Sequence, residues 1–164
     1  MKLTSTQIGV LAENLVANEL MIESKGRLSP FQPIADDDGV DILIYDKKTG
    51  KAIPLQIKAR TNTIRKRGKQ ERSNTVRFTV RKFSCKDPRQ TMLLCVLLAQ
   101  NLRSTERAWL LPLSKLPKIS NVKESTYAIS PNKNLSSNDK YTPFQCKDIK
   151  EVAKRLTDQF KKLK

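Results

Sequence analysis

Asp41, Gln56 and Lys58 place a carboxylate, an amide oxygen and an ammonium on two neighbouring segments of the chain. Their chemistry is narrowed by what the sequence lacks. Histidine is absent from all 164 residues, so any acid–base work falls to carboxylates, lysines or metal-bound water. Mechanisms that need a histidine base, including triad hydrolases and HNH-type nucleases, are excluded. Three cysteines, Cys85, Cys95 and Cys146, lack CxxC spacing and argue against a zinc site or a disulfide framework. Cys95 lies in the apolar run 92–99 and reads as a small buried hydrophobe.

Two strands joined by a tight turn would position the three residues. Val40, Ile42 and Ile44 alternate with Asp41, Leu43 and Tyr45, a period of two that sends the sets to opposite faces. Thr49-Gly50 supplies a residue tolerant of positive φ for the turn. With those two residues as the loop, Lys48 faces Lys51, Asp41 falls opposite Lys58, and Leu43 falls opposite Gln56. Facing residues project from one side with Cβ atoms roughly 5 Å apart, so the three groups converge at the open end of the hairpin. A longer turn would shift that register. Taken singly, Lys58 reads equally as an exposed strand lysine and Gln56 as a surface amide.

The flanking elements follow from periodicity. Residues 4–24 predict a helix with Thr4 or Ser5 as cap and Ile8, Leu11, Ala12, Leu15 and Val16 as its buried stripe. Glu13 sits on the flank of that stripe, a solvated glutamate by helix geometry alone, yet able to reach the edge of a neighbouring sheet. Glu19 falls inside the stripe, which suggests an end or turn there, and Gly26 marks the exit. Residues 29–35 predict a short edge strand because of Pro30 and Pro33. Val76, Phe78 and Val80 alternate with Arg77, Thr79 and Arg81, giving a strand with a core face and a cationic face. Residues 92–99 are almost continuously apolar, as in a central strand covered on both sides. Strands are also expected over 108–111, where Trp109 is most simply core but could stack on a base, and over 126–129. Leu113–Leu116 suggest a short helical turn, and Asp148 with Glu151 opens a closing helix lined by Ile149, Val152, Ala153, Leu156, Phe160 and Leu163.

Charge narrows the partner. The chain carries 32 Lys and Arg against 16 Asp and Glu, a net charge of +16. A field of that size points to a polyanion, nucleic acid before an acidic membrane surface. Residues 1–57 hold 6 basic and 8 acidic groups, whereas residues 58–90 hold 12 basic and 2 acidic. The basic run 61–72 lacks periodicity and reads as a mobile loop, either simply solvated or gripping phosphates. Arg60, Arg65, Lys66, Arg67, Lys69, Arg72, Arg77 and Arg81 are the candidate nucleic-acid contacts. No apolar run reaches bilayer length and Met1–Thr4 lack a signal-peptide core, so a soluble, cytoplasmic protein with no membrane partner is expected.

A helix carrying Ala12-Glu13, then Gly39-Val40-Asp41 opening a strand, then Gln56-Ile57-Lys58 in its partner, resembles the PD-(D/E)xK nuclease superfamily in its QxK form. That form is seen among restriction-type and intron-homing endonucleases, and the layout is also similar to archaeal Holliday junction resolvases. The resemblance covers about residues 4–60. It implies an α/β (α+β) restriction-endonuclease-like core, a mixed central sheet flanked by N- and C-terminal helices, within one domain over residues 1–164. It further implies a metal-dependent endonuclease hydrolysing phosphodiester bonds in DNA, duplex or branched. Asp41 would be the central metal-binding carboxylate, Gln56 the second ligand position, the Ile57 backbone carbonyl a third, Lys58 the catalytic lysine, and Glu13 the supporting helix glutamate. Mg²⁺ or Mn²⁺ would be the cofactor, since hard ions prefer oxygen ligands. Gln56 is neutral, so Glu13 or one of Asp36, Asp37 and Asp38 would have to supply further negative charge. The alternatives are a catalytically inactive nucleic-acid-binding protein on the same fold and an RNA-directed nuclease. Cutting both strands of a duplex needs two sites, which implies a homodimer on functional grounds.

Overall fold

A computed structural model describes residues 3–34, 39–82 and 90–163. The first helix, α1 (Ser5–Glu23), is fixed by a reciprocal cap: the Gln7 N–H donates to Thr4 Oγ1 at 3.2 Å, and the Thr4 N–H donates to Gln7 Oε1 at 2.9 Å. Ala12, Val16 and Leu20 form its fully buried stripe, with Ile8 and Leu15 partly buried beside them. Leu11, expected in the stripe, faces outward at 42% exposure. Glu19 does not end the helix. It is half-buried and accepts a hydrogen bond from Thr105 Oγ1 at 3.1 Å, a partner that lets a carboxylate sit beside the stripe. Ser24 caps the C-terminus, and Gly26 at φ +75° donates to the Met21 carbonyl as the chain turns away.

Among the described residues nine strands follow or interleave: β1 (Leu28–Phe31), β2 (Ile42–Asp46), β3 (Lys51–Arg60), β4 (Phe78–Arg81), β5 (Met92–Leu98), β6 (Thr105–Pro112), β7 (Asn121–Val122), β8 (Thr126–Ile129) and β9 (Gln145–Cys146). The main sheet runs β1-β2-β3-β5-β6-β9, with β3 and β5 parallel and every other neighbour antiparallel. β1 occupies an edge, where the missing N–H of Pro30 does least harm, and it ends before Pro33. A turn of 3₁₀ helix at Leu113–Lys115 leads into α2 (Leu116–Ile119), and Asp148 caps the closing helix α3 (Ile149–Lys162).

The main sheet is covered on both faces. Ile42, Ile44, Ile53, Leu55, Ile57, Leu94 and Val96 point toward α1 and α3. From the other face Leu93, Cys95, Leu97, Trp109 and Leu111 pack against Val76, Phe78, Val80 and Ile129. Most of those partners belong to a second, antiparallel sheet of order β4-β8-β7. Every residue of β5 is therefore buried, and Trp109 lies in the core, 5.8 Å from the Phe78 ring. Mixed layers with helices at both chain ends are the architecture the sequence implied.

The β2–β3 hairpin differs from the expected register. Asp46 pairs with Lys51, so the loop holds four residues, 47–50, rather than two. Asp46 itself sets that length. Its carboxylate accepts from the Lys48 N–H and the Thr49 hydroxyl, its carbonyl accepts from the Gly50 N–H, and Gly50 takes φ +69°. The register moves by two, an even step, so strand residues keep their faces and only their partners change. Leu43 lies opposite Pro54, not Gln56.

Candidate active site and basic surface

At its N-terminal end β2 leaves β3, and Asp41 bridges the gap. The pairing starts at Ile42↔Leu55, and the Asp41 N–H still reaches the Leu55 carbonyl at 3.0 Å. An unbroken ladder in this register would give the Ile57 N–H to the carbonyl of Val40. Instead that N–H donates to Asp41 Oδ2 at 2.5 Å. The carboxylate thus replaces a backbone acceptor and is held by a charge-assisted bond. Two residues earlier, the Gly39 carbonyl accepts from Gln56 Nε2 at 2.8 Å. Residues 39–41 therefore clasp β3 on both sides of Gln56.

Gln56 is only 3% exposed, and its bond to Gly39 decides which end of the amide is nitrogen and which oxygen. Gln56 and Lys58 share one face of β3, about 7 Å apart along the strand. Alongside them in β5 stand Leu93 and Cys95. Lys58 is half-buried there. Burial pushes the Cys95 thiol far above its ordinary range, opposed by the nearby Lys58 and Arg60 charges, so Cys95 stays an un-ionised core residue.

Of the expected site residues, Asp41, Gln56 and the Ile57 backbone come together directly, although Asp41 does not pair with Lys58 as the two-residue loop implied. Lys58 follows on the face of Gln56. Glu13 is half-buried on α1, whose Ala12, Val16 and Leu20 pack into the core cluster containing Ile57. It belongs to the helical layer, on the face of the sheet opposite Gln56 and Lys58. Asp36, Asp37 and Asp38 lie outside the described residues. Among the described residues no group of three or more Asp, Glu or Cys side chains could hold a metal. The donors at the hairpin end are instead one carboxylate, one amide oxygen and the Ile57 carbonyl. All are hard oxygens, the type that suits Mg²⁺ or Mn²⁺, with little negative charge among them. The role of the Gly39 carbonyl carried no sequence signal beyond its place in Gly39-Val40-Asp41.

The basic segment is more ordered than its sequence suggested. Residues 64–75 form a narrow hairpin with a bridge at Arg65↔Arg72. The Ile64 N–H donates to the Thr75 carbonyl, and the Ser73 N–H donates back to Ile64. Lys66 and Glu71 pair across it at 2.8 Å, and Gly68 at φ +70° turns the tip. Arg65, Lys66, Arg67, Lys69 and Arg72 are all exposed on this finger. Arg60 ties its base to the end of β3, its Nε donating to the Arg77 carbonyl at 3.1 Å. Arg77 and Arg81 are exposed while Val76, Phe78 and Val80 are buried, as alternation predicted. The described cations therefore line an arm and a strand that continue directly from the lysine end of β3.

No protein-family model matches the chain, and no curated protein matches its sequence. Among solved structures it is similar to the bacterial homing endonuclease I-Ssp6803I, with a TM-score of 0.57 and 12% identity, covering 98% of this chain and 99% of that one. It also aligns with Hjc, a Holliday junction resolvase from Archaeoglobus fulgidus, at a TM-score of 0.44 and 11% identity over 83% of this chain and 98% of that one. The first likeness spans both chains almost entirely. The chain shares its overall fold with that structure, as the resemblance of its motifs implied.

Proposed function

We propose that this chain is a divalent-metal-dependent endonuclease that hydrolyses phosphodiester bonds in DNA at the open end of the β2–β3 hairpin. The observation that carries the reading is the clasp itself: Asp41 and Gln56 are each held by backbone groups of the opposite segment, next to Lys58, on the fold of a homing endonuclease. Asp41, the Gln56 amide oxygen and the Ile57 carbonyl would hold Mg²⁺ or Mn²⁺. Such an ion, when bound, neutralises phosphoryl oxygens and makes a nucleophile of water. Lys58 offsets the negative charge that grows on the phosphate and orients the attacking water by hydrogen bonding. Glu13, across the sheet in the helical layer, would support the site only by reaching the gap where β2 parts from β3. The arm at 64–75, with Arg60, Arg77 and Arg81, holds the DNA backbone.

Incubation with supercoiled plasmid tests this reading. Nicked and linear products should form with Mg²⁺ or Mn²⁺ and disappear with chelator, and RNA of the same sequence should survive. Metal-independent cleavage would defeat the mechanism. DNA binding without cleavage under any metal would favour the second reading, a silent binding protein, for which the neutral Gln56 is the supporting observation. In either case affinity should fall steeply with salt, because Lys and Arg contacts release counterions.

A further inference from the structure

We infer that α1 is a self-association surface, on which a second copy of this chain packs antiparallel about a two-fold axis. The face of α1 opposite its buried stripe carries Val10, Leu11, Asn14, Asn18, Met21 and Ile22, all of them exposed. Ile22 is 71% exposed and Val10 51%. No charged side chain interrupts this face, and α1 contains no Lys or Arg at all, in a chain of 32 basic residues. A surface helix normally turns charge outward; one whose outer face carries four large apolar side chains, two asparagines and no charge marks a second partner.

Charge and symmetry identify that partner. Two copies at +16 repel across most of their surface, so they can approach only where basic groups are missing. The exposed residues are also arranged symmetrically about Val16. Val10 and Ile22 lie equally far from it, as do Leu11 and Met21, and Asn14 and Asn18. In an antiparallel pair centred on Val16, Val10 therefore meets Ile22 of the second copy, Leu11 meets Met21, and Asn14 meets Asn18. Such self-complementarity is what a two-fold interface requires. A membrane surface fits poorly, since the helix offers no cations to acidic headgroups. The 19-residue helix is about 28 Å long and covers about 300 Å² per copy. A standard interface buries about 800 Å² per partner, so this contact should be weak and reversible. The inference does not depend on the nuclease reading, because none of these residues belongs to the candidate site.

Sedimentation equilibrium of the full chain across the micromolar range tests it. The wild type should show a reversible monomer–dimer equilibrium. Val10→Glu and Ile22→Lys should each weaken dimerisation about tenfold or more, and because both positions are exposed, thermal melting should show each variant folded. The double variant carrying both substitutions should regain dimerisation, since the antiparallel register sets each new charge against its opposite on the other copy. A monomeric wild type throughout would overturn the inference. So would a dimer indifferent to both single substitutions. If the single variants weaken the dimer and the double variant does not recover, the antiparallel pairing is wrong. Cleavage assays fail or succeed separately, so the two readings are distinguished.

Discussion

Asp41 Oδ2 accepts the Ile57 N–H where β2 parts from β3, so one carboxylate both ends the ladder and faces the gap beyond it. Structural and chemical roles meet in that side chain, and two substitutions separate them. Asp41→Asn keeps an oxygen for the Ile57 N–H and should hold stability within about 1 kcal/mol of wild type. Asp41→Ala leaves that N–H without its acceptor and should cost about 1–3 kcal/mol in urea unfolding.

Gln56 offers a test of the charge deficit. Gln56→Glu puts a carboxylate where the amide now donates to the Gly39 carbonyl, in a position only 3% exposed. Without metal the variant should lose about 1–3 kcal/mol of stability. Its cleavage should nevertheless reach half-maximum at a several-fold lower Mg²⁺ concentration, as an anionic ligand replaces a neutral one. Metal titrations of plasmid nicking beside thermal melts would read both effects.

The turn anchor Asp46 makes a pH prediction. It is buried, and the Arg27 guanidinium bonds it at 2.7 and 2.8 Å, holding its carboxyl well below the usual carboxylate range. A depressed folded pKa contributes stability above the unfolded value, about 3.9, and loses it as pH falls below that. Asp46→Asn should therefore cost about 2–3 kcal/mol at neutral pH, with the difference from wild type closing in acid. Thermal melts between neutral pH and strong acid would show the convergence.

Glu19 has the opposite sign. Burial raises its carboxyl pKa, with Glu23 and Asp148 adding to the shift and the Thr105 hydrogen bond opposing it. A raised folded pKa gives stability that is full below the unfolded value and is lost as pH rises through the folded one. Glu19→Gln keeps an acceptor for Thr105 and removes the charge. It should raise the melting temperature at neutral pH, by less than about 1 kcal/mol in stability because solvent screens the half-exposed group. The gain should vanish in acid, where the wild-type carboxyl is protonated in both states.

Where local chemistry decides structure, the sequence was sufficient. Thr4, one of the two expected caps, caps α1, Asp148 caps α3, and the unbroken apolar run of β5 is buried on both faces. The hairpin register was not legible from Thr49-Gly50 alone, because loop length depends on Asp46, whose carboxylate is fixed by Arg27 nineteen residues earlier. Leu11 matched the spacing of a buried residue yet faces outward, since periodicity cannot say how wide a strip the sheet will cover. The Arg65↔Arg72 bridge was hidden by composition, as strongly basic runs read as loop whether or not their backbones pair. For the site, Asp41, Gln56 and Lys58 were visible as residue types. The way Gly39 and Ile57 hold them depends on where β2 leaves β3, a tertiary event that no local pattern encodes.

The most direct measurement is single-turnover cleavage of a duplex by wild type, Asp41→Asn and Lys58→Met, with DNA affinity and thermal melting measured on the same preparations. With Mg²⁺ present, the wild type should cut, and both variants should fold and bind DNA within a few-fold of wild type while cleaving at least about 100-fold more slowly. Cleavage by either variant at the wild-type rate would contradict the assignment of this hairpin as the active site.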